Sequence, residues 1–353
     1  MGLVGRMLRG MGGAVGAVAG GAVAGYRASV IAGTSLANPN SSWMDWIGGG
    51  SSTNAGVDVS PEVALESTPI YAGLTLLADV MALMPLNIYR RSMEDVEHLQ
   101  VDRQHRLYDL LHFEPNPYQT SFEFRRFMVG NLKARGNAYA EIEWAKDGWP
   151  KALWPIRADR VQYLAAAGQR WYTFTTPEGQ QYILPPDRVL HIADFTLNGI
   201  VGISPMMQGR QAIGLALAID RFVSSYFKNG CHIGGVMTFS DPISTQERET
   251  YRKEIELLHG GVANAHRIAM LDNGARFDRI GLSLADSQTI EGRNYSVAES
   301  GRVLRIAPTL LGDLTRAHFA NVEELLNQFY ALTISPLCSL FEQRYEKQLL
   351  FME

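Results

Sequence analysis

Several things are scarce in this chain. Its 353 residues contain two cysteines, Cys231 and Cys338, which form no C-x-x-C pair. That excludes a disulfide framework and points to a reducing compartment, with cytosol as the default. Only 19% of the residues are charged and the net charge is -4, so there is no basic excess with which to grip nucleic acid across a broad face. Any contact with DNA is expected to be loose. No G-x-x-x-x-G-K-[ST] phosphate loop is present, and the N-terminal glycines follow no predicted strand, so no nucleotide site is read there. Long apolar runs are missing too. The stretch "GMGGAVGAVAGGAVAG" at 10–25 follows Arg6 and Arg9 as a signal peptide would. Its Ala and Val are diluted by Gly, and it falls short of the roughly 20 apolar residues a spanning helix needs. It reads foremost as a flexible arm, with a membrane or signal role and small-residue helix packing as the alternatives.

What is present suits a globular chain of two or more domains, since 46% of the residues are hydrophobic and the length exceeds one compact core. The stretch to Gly56, rich in Gly, Ser and Asn, reads as linker, with Trp43 and Trp46 either docked on a neighbour or disordered. Order is expected from Thr68 and Pro69, where a helix opens and runs at helical spacing to Pro85. "LNIYRR" reads as a strand and "HRLYDLLHF" as a short helix, and Thr120 or Ser121 caps a helix ending at Gly136. The apolar period then changes to two in "NAYAEIEW", "ALWPI", "RVQYL", "RWYTFT", "QYIL" and "RVLHI", an antiparallel region beside helices. The fold class is α+β.

The second half is built differently. Ser204 and Pro205 open a helix with no breaker until Asn229 and Gly230, about 25 residues or roughly 37 Å. Ile213, Leu217, Phe222 and Tyr226 are among apolar residues spread over more than one face, so the helix must be covered on several sides, and copies of the same chain are the expected cover. A small α/β module follows at 231–282: the strand "GGVMTF", a helix opened by a Ser244–Glu247 capping box, and a hairpin turning at Asn273 and Gly274. A second long helix is expected from Ser283 to about Arg305. In "RVLRIAPTLLGDLTRAHFANVEELLNQF" at 302–329, Pro308 stops that helix, Gly312 lets the chain turn, and Asn321 with Glu324 caps the last helix, which Pro336 kinks.

Catalytic constellations are weak. "GISPM" at 202–206 lacks the second glycine of a nucleophile elbow, and a helix cap explains Ser204. His105, Asp109 and His112 share a helical face without a fourth ligand, and His191 reads as a packed or surface histidine. Asp313, Arg316 and His318 cluster in a loop, where polar residues are ordinary.

Five long segments, in order, resemble the portal proteins of long-tailed bacteriophages and their prophages: "STPIYAGLTLLADVMALMPLNIYRR", "HRLYDLLHFEPNPYQTSFEFRRFMVGNLKARGNAYAEIEW", "DRVLHIADFTLNGIVGISPM", "AIGLALAIDRFVSSYFKNG" and "VLRIAPTLLGDLTRAHFANVEE". The resemblance covers roughly 61–350 and leaves the N-terminal arm unmatched. It implies an arm at 1–56, an α+β wing at 57–203, stem helices at 204–230 and 283–306, a clip at 231–282, a tunnel loop at 307–321 and a C-terminal wing helix at 322–353, with the crown short or absent. It further implies a ring of about twelve copies at one capsid vertex through which double-stranded DNA is packaged and ejected. Implied partners are the large terminase subunit, the major capsid and scaffold proteins and a head-completion adaptor; no enzyme activity, cofactor, metal or membrane is expected. The implied location is the virion, with the host cytoplasm during assembly.

In that setting Leu310, Leu311, Asp313, Arg316 and His318 make up the DNA-facing tunnel loop, in which Leu310 and Leu311 are expected to pack on the adjacent subunit's loop or helix while Arg316 and His318 face the bore. Ile213, Leu217, Phe222 and Tyr226 would form the oligomer interface. The second stem helix has acidic Asp286, Glu291 and Glu299 against basic Arg293, Arg302 and Arg305, and a near-neutral lining lets a duplex slide. Two alternatives stay open: a DNA-processing enzyme with Mg²⁺ held by carboxylates such as Asp79, Asp109 or Asp194, and a membrane-associated ring anchored by the arm.

Overall fold

The fold was read from a computed structural model, which describes residues 52–91, 99–166, 169–176, 179–228, 235–238, 242, 244–259, 276–279, 289–313 and 322–350. Its body is organised around two helices and a three-stranded sheet. A short α1 (Pro61–Ala64) is capped by Ser60, whose hydroxyl accepts the Val63 N–H at 3.2 Å. Then α2 (Thr68–Leu83) begins with Ser67 at its cap and Pro69 in its first turn, and it buries Ile70, Leu74, Leu77, Ala78 and Met81. The strand pair β1 (Tyr89–Arg91) and β2 (Leu99–Val101) and the short α3 (Tyr108–His112) lead to α4 (Ser121–Arg135). Of the two expected caps, Thr120 is the one used, and it opens α4 with a full capping box: Glu123 N–H donates to Thr120 Oγ1 at 3.3 Å, and Thr120 N–H donates to Glu123 Oε2 at 2.8 Å. These bonds hold the Glu123 carboxyl below the usual glutamate range.

Six strands follow where the alternation places them. β3 (Asn137–Trp144) is the central strand, antiparallel to β4 (Pro150–Ile156) on one side and to β8 (Val189–Ala193) on the other. Between them β5 (Val161–Ala166), β6 (Gln169–Thr175) and β7 (Gln181–Leu184) form a separate meander. One apolar cluster joins α2 and α4 to the inner face of β3, β4 and β8 and to the C-terminal helix through Leu337, Phe341 and Tyr345. A smaller one, around Tyr139, Tyr172, Leu184 and Val189, lies between the two sheets.

The junction between sheet and second half is tight. Gly136 ends α4 at φ 78°, where a Cβ would meet the Ile203 carbonyl carbon at 2.4 Å, and a Cβ on Gly202 would lie 1.9 Å from the Gly136 carbonyl oxygen. Asn137, buried, donates through Nδ2 to the Gly202 carbonyl and accepts the Gly202 N–H, both at 2.8 Å. That fixes which end of the amide is oxygen, so the His191 Nε2 contact to Asn137 Oδ1 at 3.0 Å is a donation from the ring, and Nδ1 accepts from the Tyr172 hydroxyl at 3.1 Å. His191 is thus packed and holds the two sheets to this junction.

The body starts earlier than the sequence suggests. Thr53 and Asn54, expected in the arm, are docked: Thr53 Oγ1 donates to the Val57 carbonyl at 2.8 Å, and Asn54 N–H donates to Gln211 Oε1 at 3.0 Å. Val57 and Val59 enter the core ahead of the expected start at Thr68. The helix expected to run unbroken from 204 is interrupted at Gly209, whose ψ of 4° departs from helical geometry, giving α5 (Pro205–Gln208) and α6 (Arg210–Lys228), while Gly209 N–H still donates to the Pro205 carbonyl at 2.9 Å. In the 231–282 module, β9 (Gly235–Thr238) and β10 (Arg276–Arg279) pair antiparallel around α7 (Thr245–His259), whose Ser244–Glu247 box is formed. The strand at 267–272 and the Asn273–Gly274 turn lie outside the described residues. Next come α8 (Thr289–Leu304), a 3₁₀ turn over Pro308–Leu311, α9 (Val322–Phe329), a π turn over Tyr330–Ile334, α10 (Ser335–Tyr345) and a second π turn over Glu346–Leu350. The distortion expected at Pro336 takes the form of the π turn just before it.

Candidate functional site

The helix pair α6 and α8 and the span after it carry the residues singled out from the sequence. Two glycines set the pairing. A Cβ on Gly209 would come within 2.5 Å of Val303 Cγ2, and one on Gly292 within 3.1 Å of Ile219 Cδ1. Position 209 therefore lies beside 303, and 219 beside 292, so the helices run antiparallel with their seam extending over roughly 15 Å. Asp220 and Arg293 add an ion pair at 3.2 Å, and Arg221 reaches Glu66 at 3.7 Å. All four side chains are about half exposed, so these pairs orient more than they stabilise.

The apolar residues of α6 divide sharply. Ile213 is 2% and Leu217 4% exposed, both inside the core of their own chain. They lie on the side of α6 that meets the body, so the single subunit already buries them. Phe222 is 46% exposed, and Tyr295 on α8 is 56% exposed, with Leu215 also open to solvent. The side chain of Tyr226 lies outside the described residues. On a different face of α6 from Phe222, an open cleft of about 450 Å³ is lined by Glu66, Leu217, Asp220, Arg221 and Lys228 among others, with charges of both signs.

Leu310 and Leu311 also meet their own chain. They lie in the 3₁₀ turn and pack against the core of their own chain; a Cβ on Gly73 of α2 would be 3.2 Å from Leu311 Cδ2. The turn lies against α2 and α8, and both leucines keep part of their surface exposed. Gly312, at φ 89°, ends the turn, and Asp313 is partly buried. Arg316, His318 and the cap residue Asn321 lie outside the described residues.

The weaker candidates are not brought together. His112 Nδ1 is 3.0 Å from the Leu86 carbonyl with its ring stacked on Tyr108, whereas His105 meets Trp149 edge-on. Of the carboxylates weighed as Mg²⁺ ligands, Asp79 pairs with Arg126 at 2.6 Å and Asp194 with Lys133 at 2.8 Å, and Asp109 is on α3. Among the described residues, no three His, Cys, Asp or Glu side chains are grouped to hold a metal, and no helix is long and apolar enough to cross a membrane. Sequence reasoning missed Gly209 and Gly292 as crossing points; both were visible as small residues in long helices, but only the partner helix gives them meaning.

An antiparallel helix pair thus joins an α+β body and keeps the aromatic side chains Phe222 and Tyr295 partly open to solvent. The sequence profile of phage portal proteins matches residues 68–353, and the chain belongs to that family. It is 23% identical over 295 residues to the portal protein of Enterobacteria phage HK97, covering 83% of this chain and 69% of that one. It is 28% identical over 273 residues to a probable portal protein of Streptomyces phage phiC31, covering 74% and 59%. The fold is shared with an HK97-family phage portal protein from Corynebacterium diphtheriae, at TM-score 0.60 and 13% identity over 82% of this chain and 90% of the other. A chain from the neck of a native gene transfer agent particle, computed with C12 symmetry, matches with TM-score 0.57 and 24% identity over 82% and 78%.

Proposed function

We propose that this chain assembles into a ring of about twelve copies at one capsid vertex and serves as the conduit for double-stranded DNA during packaging and ejection. The observation that carries this is the two-sided helix pair: its inner side is filled by its own subunit, while Phe222, Leu215 and Tyr295 stay uncovered on a stiff, projecting element. A cyclic assembly buries such a flank against a different flank of the next copy. In this arrangement α6 and α8 are the stem, 231–282 the clip that meets the large terminase subunit and later a head-completion adaptor, and the body the wing that meets capsid and scaffold proteins. The span at 307–321 carries Arg316 and His318 to the bore, where they touch phosphate in passing and read no base sequence. Opposite charges paired along α8, such as Glu299 with Arg302, keep that surface from holding a duplex tightly.

Electron microscopy of the purified chain tests the proposal. Annular particles with an open centre are expected. A uniform population of single copies at micromolar concentration and physiological salt would refute it.

A further inference from the structure

Arg305 ends α8 in a conformation that side chains avoid: its φ of 61° is the one positive value among the described non-glycine residues. The helix terminates there by two bonds, from Ile306 N–H to the Gly301 carbonyl at 2.8 Å and from Arg305 N–H to the Arg302 carbonyl at 3.2 Å. Glycine is the ordinary occupant of the left-handed position in such a terminator, because a Cβ there crowds the following carbonyl. An arginine in this place needs a reason, and its side chain supplies one.

The Arg305 guanidinium donates through Nη2 to the Leu332 carbonyl at 2.9 Å, 27 residues further on. Pro336 stands four residues after Leu332 and has no N–H, so the backbone donor that a helix would bring to that carbonyl does not exist. In return, Thr333 Oγ1 donates to the Arg305 carbonyl at 2.7 Å, an acceptor that falls free at the end of α8. Each segment thus fills the acceptor that the other leaves open. The receiving segment is the π turn Tyr330–Ile334, the point at which the C-terminal helix changes course.

We propose that Arg305 is a positioning residue which, with Thr333, clamps the end of α8 to the proline-broken turn of the C-terminal helix and so fixes the angle between them. Leu332 is 62% exposed, so the clamp is within reach of water and opens more readily than a buried contact. Its value for holding the geometry of a bore rests on the portal assignment above; the clamp itself does not.

Hydrogen exchange on the full chain tests it. Arg305→Gly keeps the left-handed turn and removes the guanidinium. Exchange of the amides at 330–334 is expected to rise about tenfold, the order set by one lost hydrogen bond from a charged donor. Protection at 301–306 is expected to hold or increase, because glycine relieves the crowding at 305. Adding Pro336→Ala to that variant gives Leu332 a backbone donor and is expected to bring exchange back to within about twofold of the parent, a coupling that a general packing role would not produce. Unchanged exchange at 330–334 in Arg305→Gly, or no recovery in the double variant, overturns the clamp. If Arg305→Gly does not fold, Thr333→Val reads the other bond: a rise at 330–334 supports the clamp and none overturns it. The exchange is read whether or not rings form, so failure of the clamp and failure of the portal assignment are told apart.

Discussion

The body and the helix pair use similar side chains to different ends. In the body, Ile70, Leu77, Phe124 and Phe341 are each enclosed by other elements of the same chain, and the buried polar groups Asn137 and His191 find partners there as well. Along α6, Ile213 and Leu217 are enclosed in the same way, yet one turn and more beyond them Phe222 is left half in water. One helix is therefore both core and outer surface. Its apolar content does not say where the change occurs; the side of α6 turned to the body does.

Substitutions can break or sharpen that contrast. The largest effect is expected at Gly202→Ala, where a methyl group would run into the Gly136 carbonyl at the foot of the helix pair. The loss should be about 4 kcal/mol or more, as backbone must move to admit it, and denaturant unfolding of the variant would measure it. Leu217→Ala comes next, at about 3 kcal/mol, the usual size for a leucine removed from a filled core. Phe222→Asp should change the stability of the isolated subunit by less than about 0.5 kcal/mol. It should nevertheless abolish association, read as native mass, so that two residues of one helix separate stability from assembly.

The smallest expected effect is electrostatic. The Glu123 and Glu247 carboxyls are held below the usual glutamate range by the backbone N–H groups and hydroxyls of Thr120 and Ser244. A depressed folded-state pKa contributes stability that is present above the unfolded value and is lost as pH falls through the folded one. Mild acid below the usual glutamate range should therefore loosen the starts of α4 and α7. Glu123→Gln should flatten that dependence at α4, which amide exchange at 121–124 would follow. A pH dependence identical in parent and variant would contradict the capping role.

Much of the body was legible because its signals are local. The eight-residue alternation in "NAYAEIEW" is β3, the Thr120 cap and the Ser244–Glu247 box open their helices, and Gly136 closes α4 with positive φ. The docking of Thr53 and the core positions of Val57 and Val59 were not legible, since a short Ser- and Pro-containing stretch shows no period that marks it as packed. Nor was the sidedness of α6. Ile213, Leu217 and Phe222 are alike as apolar letters, and what separates them is which side of α6 the body covers. Leu310 and Leu311 follow the same pattern: the turn at Pro308 was readable, but its direction, back onto Gly73, was set by a glycine more than two hundred residues away.

The central claim is that the outer flank of the helix pair is a contact between copies. It is tested most directly by placing a photo-crosslinking amino acid at position 222 of the full chain and irradiating it in physiological salt. A ladder of covalently joined copies, with the crosslinked peptide mapping to a second molecule of this same chain, is the expected result. Crosslinks confined within single copies, or none at all, would contradict it.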